Sequence, residues 1–228
     1  MKQLALTLCI VLISHVAFSQ TGCSKYYSFA EGTHSQITTY DKKGQISAVV
    51  DYTVVGVVNS GGSETATMNA MVKDEKGELI AKSSYDIVCS SDMVSIDFKS
   101  LVSPKILEQF GQMDYDITGT NIDLPNNLTV GQSLPDADMN MKINMSGITM
   151  NMNIEMINRK VVGEEVITTL AGKFNCMVIT YDYSMKMGIN QSGTAKQWIA
   201  EGVGMVKQED YSKKGKVMSS SELTAFSK

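Results

Sequence analysis

Apolar and polar residues alternate strictly along residues 139–156. Methionine or isoleucine occupies every second position of residues 139–145 and again of residues 148–156, with Asn, Lys, Thr or Glu between them. A period of two places alternate side chains on opposite faces of a β-strand. The pattern predicts a hairpin, turning at residues 146–147, with one apolar face that we call the methionine face. Its methionines are Met139, Met141, Met145, Met150, Met152 and Met156.

A short turn ending in glycine occurs three times, at residues 41–44, 74–77 and 212–215. Each turn opens with Asp or Ser, whose side chain accepts backbone hydrogen bonds, and closes with a glycine that tolerates the left-handed conformation. Segments of alternating polarity flank all three turns. Each turn therefore predicts a β-hairpin.

Only residues 103–110 have a helical pattern. Ser103 and Pro104 suit the start of a helix, and Ile106, Leu107 and Phe110 recur at helical spacing. The rest of the chain predicts an all-β, mainly antiparallel fold. We expect a single curved sheet or half-barrel with one short helix, and a β-sandwich is the runner-up.

Residues 1–19 have the pattern of a secretory signal peptide. Lys2 gives a positive start, residues 4–16 are mostly apolar, and Ala17 and Ser19 are small residues at the positions that precede a cleavage site. An uncleaved membrane anchor is the alternative, but this stretch is shorter than the roughly 20 residues that span a bilayer. We therefore expect one β-rich domain over residues 20–228 in the periplasm, at the outer membrane or outside the cell, with no transmembrane span after cleavage.

The charge of the chain argues against nucleic acid as a partner. The formal net charge is −4 at pH 7, and Arg159 is the only arginine. Proteins that follow a phosphate backbone need clustered Lys and Arg to replace its counterions. An anionic membrane surface is a poor partner for the same reason.

Three cysteines remain after the predicted cleavage, which are Cys23, Cys89 and Cys176. In an oxidising compartment two can pair, and the sequence alone does not fix which two. We favour Cys23 with Cys89, because Cys176 alternates with apolar neighbours and resembles a small buried residue.

The mature chain offers few residues for catalysis. His34 is the only histidine after residue 19, so a nucleophile lacks the usual general base. Neither a Gly-x-Ser-x-Gly elbow nor a phosphate-binding loop occurs, and no short ligand spacing predicts a metal site. The sequence therefore predicts a non-catalytic protein without cofactor or metal.

The methionine face has three interpretations. Its side chains fill the domain core, or they line a cavity for a lipophilic ligand or a protein partner, or they bind Cu(I) through soft thioether sulfur. The copper interpretation lacks a nearby histidine or cysteine. Trp198, the only tryptophan, is a candidate neighbour of a ligand on this face, although lone aromatic residues more often pack.

Several segments resemble the TapB-like family of exported bacterial proteins, a domain of unknown function. Residues 23–27 match its opening, and residues 198–207, which include Gly202-Val203-Gly204, match its ending. The other matching segments are residues 85–89, 124–128 and 171–176. The resemblance implies an exported, β-rich domain and brings no catalytic residues.

The function expected from these observations is an exported, non-catalytic binding module. It would hold an apolar ligand or an envelope protein partner on the methionine face, through the six methionines and Trp198. The alternative is a structural component of a cell-envelope assembly that has no small ligand.

Overall fold

The computed structural model describes residues 23–101, 114–145, 148–187 and 189–228. They form thirteen strands and one 3-10 helix, Phe98–Leu101. The predicted signal peptide, the predicted helix near residues 103–110 and the turn at 146–147 lie outside the described residues. The strands are β1 His34–Asp41, β2 Ile46–Ser60, β3 Ser63–Lys73, β4 Leu79–Ser90, β5 Met93–Ile96, β6 Asp114–Thr120, β7 Ile122–Pro125, β8 Ala137–Met145, β9 Ile148–Thr169, β10 Gly172–Met187, β11 Ile189–Ala200, β12 Gly204–Ser212 and β13 Val217–Ser227.

All thirteen strands belong to one antiparallel sheet. Their order is β6-β8-β9-β10-β11-β12-β13-β1-β2-β3-β4-β5-β7. The hairpins predicted from the repeated turn are β1–β2, β3–β4 and β12–β13, and all three are confirmed. The first and last strands pair with each other in the middle of the sheet.

The repeated turns have the predicted chemistry. Asp41 Oδ1 accepts the backbone N–H groups of Lys43 at 2.8 Å and of Gln45 at 2.9 Å. Asp74 holds the second turn in the same way, and Gly44 and Gly77 have φ values of 76° and 83°. A side chain other than glycine would be strained at such positive φ angles.

The two edge strands, β6 and β7, show that the sheet curls into a barrel. They stand at opposite ends of the strand order, yet only Asn121 separates them in the chain. Thirteen strands laid flat would place the edges about 58 Å apart, at about 4.8 Å per strand. Two residues span only about 7 Å, so the edges must meet at one seam.

The chain crosses this seam as one extended segment. Its first part, β6, pairs with β8, and its second part, β7, pairs with β5. Asn121, at the crossing, accepts a hydrogen bond from the backbone N–H of Phe98 in the 3-10 helix. The predicted curved sheet is thus confirmed, but it closes further than a half-barrel.

Residues 23–33, which we call the N-terminal segment, close one end of the barrel. A disulfide joins Cys23 to Cys89 of β4. The Lys25 backbone N–H donates to Asn126 Oδ1, and the Lys25 carbonyl accepts from the N–H of Gly202, at 2.9 and 2.8 Å. The segment therefore bridges β4, the loop after β7 and the β11–β12 turn.

Three groups of buried apolar residues stabilise the fold. The largest lies inside the barrel and includes Tyr26, Val94 and Ile179. A second contains Cys176, Val178 and Trp198, and the third is formed by the methionine hairpin. Burial of large apolar side chains at these sites is the main favourable term for the fold. Among the described residues, no helix is long and apolar enough to cross a membrane.

Candidate functional site

The methionine face packs against the seam of the barrel. Met139 and Met141 are completely buried and Met152 is 1% exposed. Cross-strand pairing places Met141 opposite Met152, and Phe98 and Leu101 of the 3-10 helix pack against the group. Met150 is partly buried at its margin. These contacts are those of a filled core, which was the first of the three interpretations.

The seven residues named from the sequence do not form one site. Met156 belongs to the main interior group, and Trp198 belongs to the group around Cys176. The side chain of Met145 is outside the described part of the structure. Period-two alternation identified the common face of the hairpin, but could not show which neighbours would cover each part of it.

Trp198 lies among polar groups of β9, β11 and β12. Its indole N–H donates to Glu165 Oε2 at 2.8 Å, and the ammonium groups of Lys196 and Lys207 lie 4.7 and 5.3 Å from its ring centroid. These contacts satisfy both its polar edge and its π faces. Since it is 4% exposed, Trp198 has little surface left for a ligand.

A different region has the character of a binding site. An inner cavity of about 200 Å³ lies beside the N-terminal segment, where side chains from distant strands converge. Aromatic residues come from that segment and from β2, β4 and β13, and other apolar residues come from β1 to β5, β7, β12 and the β11–β12 turn. Its wall includes Tyr27, Tyr52, Tyr85, Phe226, Ile37, Val54 and Met68.

The three tyrosines give the inner cavity a polar component. Burial raises the pKa of Tyr27 to about 12 and raises the pKa values of Tyr52 and Tyr85. All three hydroxyls are therefore protonated at neutral pH and can donate a hydrogen bond. A mostly apolar wall with a few polar groups is typical of small-molecule sites.

A wide groove of about 840 Å³ lies at another part of the interior face. Met156 and Tyr181 line it, so one methionine of the hairpin does border open space. Gln197 lines the inner cavity and Gln208 lines the groove. Because Gln197 Nε2 donates to Gln208 Oε1 at 3.1 Å, this amide pair lies between the two spaces.

Arg159 is a buried charged residue near this interior. It is 3% exposed, and its Nη1 donates to the carbonyl of Asp123 at 3.0 Å and to the carbonyl of Pro135. Its charge lowers the pKa of the Tyr27 hydroxyl against the stronger effect of burial. Burial in turn lowers the pKa of the guanidinium.

Sequence reasoning missed the inner cavity and Arg159. The cavity residues come from nine strands, the 3-10 helix, the N-terminal segment and the β11–β12 turn. Those in strands alternate like any core residue, so no local pattern marks the cavity. Arg159 carried one signal, since a single arginine among 20 basic residues is unusual.

Four segments that supported the family resemblance meet at the closed end of the barrel. The disulfide joins residues 23–27 to residues 85–89. Asn126, within residues 124–128, also donates to the Cys23 carbonyl at 2.8 Å. Gly204, within residues 198–207, has no room for a β-carbon, which would lie 2.8 Å from the Tyr27 ring. Their common role is to hold the N-terminal segment in place.

Comparison with solved structures shows that the fold occurs elsewhere. A Bacteroides fragilis protein described as exported, with a YmcC-like fold, has a TM-score of 0.76 at 20% identity, over 90% of this chain and 100% of its own. A Parabacteroides distasonis protein described as a lipoprotein has a TM-score of 0.74 at 22% identity, with the same coverage of each chain. Likenesses at such identity concern the fold alone.

A family model matches a much longer part of the chain than the short segments that resemble the TapB-like family. The search of curated proteins gave no match. The model described as DUF3108-like matches residues 30–223, from the N-terminal segment to β13. The match does not confirm the TapB-like name. The chain belongs to the DUF3108-like family.

Proposed function

We propose that this protein is an exported, non-catalytic binding protein that holds an apolar ligand inside its barrel. The inner cavity carries the proposal, because it is lined mainly by aromatic and aliphatic side chains and is bordered by three neutral tyrosines. The methionine face is the weaker candidate, since Met139, Met141 and Met152 are covered by other side chains.

The size of the cavity limits the ligand. Its volume of about 200 Å³ exceeds the roughly 150 Å³ of an engineered apolar cavity that binds benzene. A ring or a short alkyl chain fits such a space. The wide groove beyond the Gln197–Gln208 pair gives a longer ligand room to continue.

The composition of the cavity wall supports a non-catalytic role. Among the described residues, its lining includes no histidine, cysteine or carboxylate. The serine and threonine hydroxyls of the lining therefore have no neighbouring histidine or carboxylate in it that would activate them as nucleophiles. The only histidine of the described chain, His34, instead contacts Asp51 through Nε2 at 3.2 Å.

A structural role in an envelope assembly is the second candidate. The observation that favours it is Leu170, at the tip of the β9–β10 hairpin, which is 85% exposed. Val166 on the same hairpin is 56% exposed, and a partner protein could cover both. The exported location is supported by the N-terminal pattern and fits the descriptions of the two similar structures.

Binding of a neutral fluorescent probe, N-phenyl-1-naphthylamine, to the delipidated protein tests the cavity. Met68 lines the cavity, whereas Met71 on the same strand is 38% exposed. Met68→Trp should fill part of the cavity and weaken probe binding about 10-fold, and Met71→Trp should leave it unchanged. Circular dichroism of both variants checks that the fold persists.

A third variant separates the cavity from the methionine face. Met141→Leu conserves volume, and such exchanges usually cost less than about 1.5 kcal/mol. We expect the probe affinity of this variant to equal that of the wild type. If the wild type does not bind the probe, or if Met68→Trp and Met71→Trp behave alike, the cavity proposal is wrong.

A further inference from the structure

The wall of the inner cavity contains three phenol hydroxyls, those of Tyr27, Tyr52 and Tyr85. Among the described residues, none of the three donates a hydrogen bond to another protein group, whereas the hydroxyl of Tyr211 donates to Glu209. A donor in a protein interior normally has an acceptor, because leaving it unpaired costs free energy. These three hydroxyls therefore have unused hydrogen-bonding capacity in an otherwise apolar space.

The strand geometry directs two of these tyrosines into the barrel. Asp51, next to Tyr52, and Asp86, next to Tyr85, bind polar side chains on the outer face of the sheet. Because successive side chains of a strand point to opposite faces, Tyr52 and Tyr85 point inwards. Met68 lies directly opposite Tyr85 on one side and diagonally across from Tyr52 on the other. The two tyrosines therefore stand on either side of one residue of the cavity wall.

Tyr27 completes the group from the N-terminal segment. The disulfide between Cys23 and Cys89 holds this segment on the barrel. The Tyr27 ring lies so close to Gly204 that a β-carbon there would be 2.8 Å from it. The ring is thus held in position before any ligand binds, and this reduces the cost of ordering the site.

The three hydroxyls are open to the cavity and stay protonated. Within the described residues, no tyrosine hydroxyl is among the fully enclosed polar atoms that lack a hydrogen-bond partner. Since the three side chains line the cavity and have no partner, the accessible part of each hydroxyl faces that space. Burial raises the pKa of Tyr27 and of Tyr52, and burial followed by the proximity of Tyr52 and Tyr27 raises the pKa of Tyr85. All three are therefore neutral donors at pH 7.

The cavity wall offers no charge to a ligand. Among the described residues, its lining contains no Asp, Glu, Lys, Arg or His side chain. An ionised ligand group would lose its hydration in this space without gaining a counter-charge, which is strongly unfavourable. The cavity therefore selects ligand groups that are neutral.

We propose that the inner cavity binds an apolar molecule with a neutral carbonyl oxygen, such as a ketone or a quinone, and that Tyr52 and Tyr85 donate to this oxygen. This inference rests on the proposed function, because it names the class of ligand for the same cavity. A carbonyl oxygen has two lone pairs and carries no hydrogen. It accepts from two phenols without adding a donor that would itself need a partner.

A hydrocarbon of the same shape should bind less well than it would in a wholly apolar cavity. Water can accept from the tyrosine hydroxyls before a ligand enters, and a ligand that displaces it without replacing its hydrogen bonds loses affinity. A site that hydrogen-bonds one group of a ligand rejects analogues without that group, because its own polar groups are then left unpaired. The tyrosines therefore distinguish ligands by their oxygen and the apolar wall by their size.

Calorimetric titrations of the delipidated full chain with acetophenone, ethylbenzene and benzoate test the inference. Acetophenone and ethylbenzene have nearly the same shape and differ in the carbonyl oxygen, and benzoate adds a negative charge. The double variant Tyr52→Phe with Tyr85→Phe keeps both rings. It should weaken acetophenone by about 10-fold or more and leave ethylbenzene binding unchanged or tighter. Tyr115→Phe on β6, a control at a side chain that is 39% exposed, should keep both affinities. Benzoate should bind the wild type more weakly than acetophenone by about 10-fold or more.

The infrared carbonyl stretch of bound acetophenone detects the hydrogen bonds directly. A carbonyl that accepts hydrogen bonds absorbs at a lower frequency than one in an apolar solvent. We expect the stretch in the wild type to lie below its frequency in hexane, and to return towards the hexane value in the double variant. Should the double variant not fold, the spectrum of the wild-type complex still decides, because a hexane-like frequency contradicts the inference.

The remaining outcomes separate this inference from the proposed function. If the double variant binds acetophenone as tightly as the wild type, or weakens acetophenone and ethylbenzene equally, the role of the tyrosines is wrong and the cavity proposal stands. Tighter binding of benzoate than of acetophenone would likewise overturn the carbonyl class alone. If neither these ligands nor N-phenyl-1-naphthylamine binds, both proposals are wrong.

Discussion

Asp51 shows how one residue stabilises the outer surface of the barrel. It lies on β2, is 6% exposed, and its carboxylate is 2.8 Å from Lys73 Nζ and 3.0 Å from Gln36 Nε2. His34 approaches it at 3.2 Å. Burial alone would raise the pKa of Asp51, but the hydrogen bonds from these three neighbours outweigh it and hold the pKa below its usual value.

Asp51→Asn should destabilise the protein in a pH-dependent way. The lowered pKa means that ionised Asp51 contributes stability above the pKa of an unfolded aspartate, about 3.9, and that the contribution disappears as the pH falls through the folded value. At pH 7 we expect a loss of about 1–3 kcal/mol, as for hydrogen bonds to a charged group. Urea unfolding of both proteins at pH 7, 5 and 3 measures it. A difference that stays constant down to pH 3 would contradict this account.

Sequence reasoning worked least well for single polar residues. The alternation in residues 139–156 placed the methionines on one face, and the structure shows that most of them are buried. Asp51 and Arg159 lie in strands whose pattern does not distinguish them from exposed residues. Their roles depend on Lys73 and on Asp123, which come from other strands, so tertiary contacts had to be known first.

At the scale of elements, the short N-terminal segment both cross-links the barrel and supplies one wall of the inner cavity. Its disulfide to β4 spans 66 residues, and Tyr27 brings one wall of the inner cavity with it. Lys25 also pairs with Glu201 at 2.9 Å, although both side chains are largely exposed and this pair adds little. The covalent link and the backbone hydrogen bonds of Lys25 with Asn126 and Gly202 therefore fix the position of Tyr27 together.

Removing the disulfide should weaken both the fold and ligand binding. A double variant, Cys23→Ser with Cys89→Ala, loses a cross-link that closes a loop of 66 residues, which the chain-entropy relation values at about 4 kcal/mol. We expect a lower melting temperature and weaker binding of N-phenyl-1-naphthylamine. Dithiothreitol should lower the stability of the wild type and not that of the variant, and an unresponsive wild type would mean that the bond is not formed.

Hairpins were the elements that could be predicted best. The turns at residues 41–44, 74–77 and 212–215 have local chemistry, and the pairing of each hairpin follows from its turn. The pairing of β1 with β13 and of β5 with β7 has no such signal, because the partners are distant or the strands are short. The sequence therefore predicted the hairpins and the curvature of the sheet, but not the closure of the sheet into a barrel.

For the whole molecule, closure depends on a close approach at the seam. A β-carbon on Gly119 of β6 would lie 2.3 Å from the Asp138 carbonyl oxygen and 3.0 Å from the Phe98 ring. Its backbone φ is not in the left-handed region, so the constraint at this glycine is one of space. Gly163 of β9 has open space at the same position and serves as its control.

Gly119→Ala should destabilise the barrel, whereas Gly163→Ala should not. Overpacking of this kind typically costs about 1–3 kcal/mol, and replacing an unconstrained strand glycine by alanine is neutral or favourable by about 0.5–1 kcal/mol. Guanidinium unfolding of the two variants and the wild type gives both values. Equal stabilities of the two variants would show that β6 can move away from β8 without loss.

The pairing of β1 with β13 sets an order of events during synthesis. β1 lies between β2 and β13, so one side of the earliest strand has no partner until residues 217–227 have been made. The segment across the seam likewise needs β5, which precedes it, and β8, which follows it. Consequently the barrel cannot finish folding until its last strand has left the ribosome, although the hairpins that precede this strand need no partner from it.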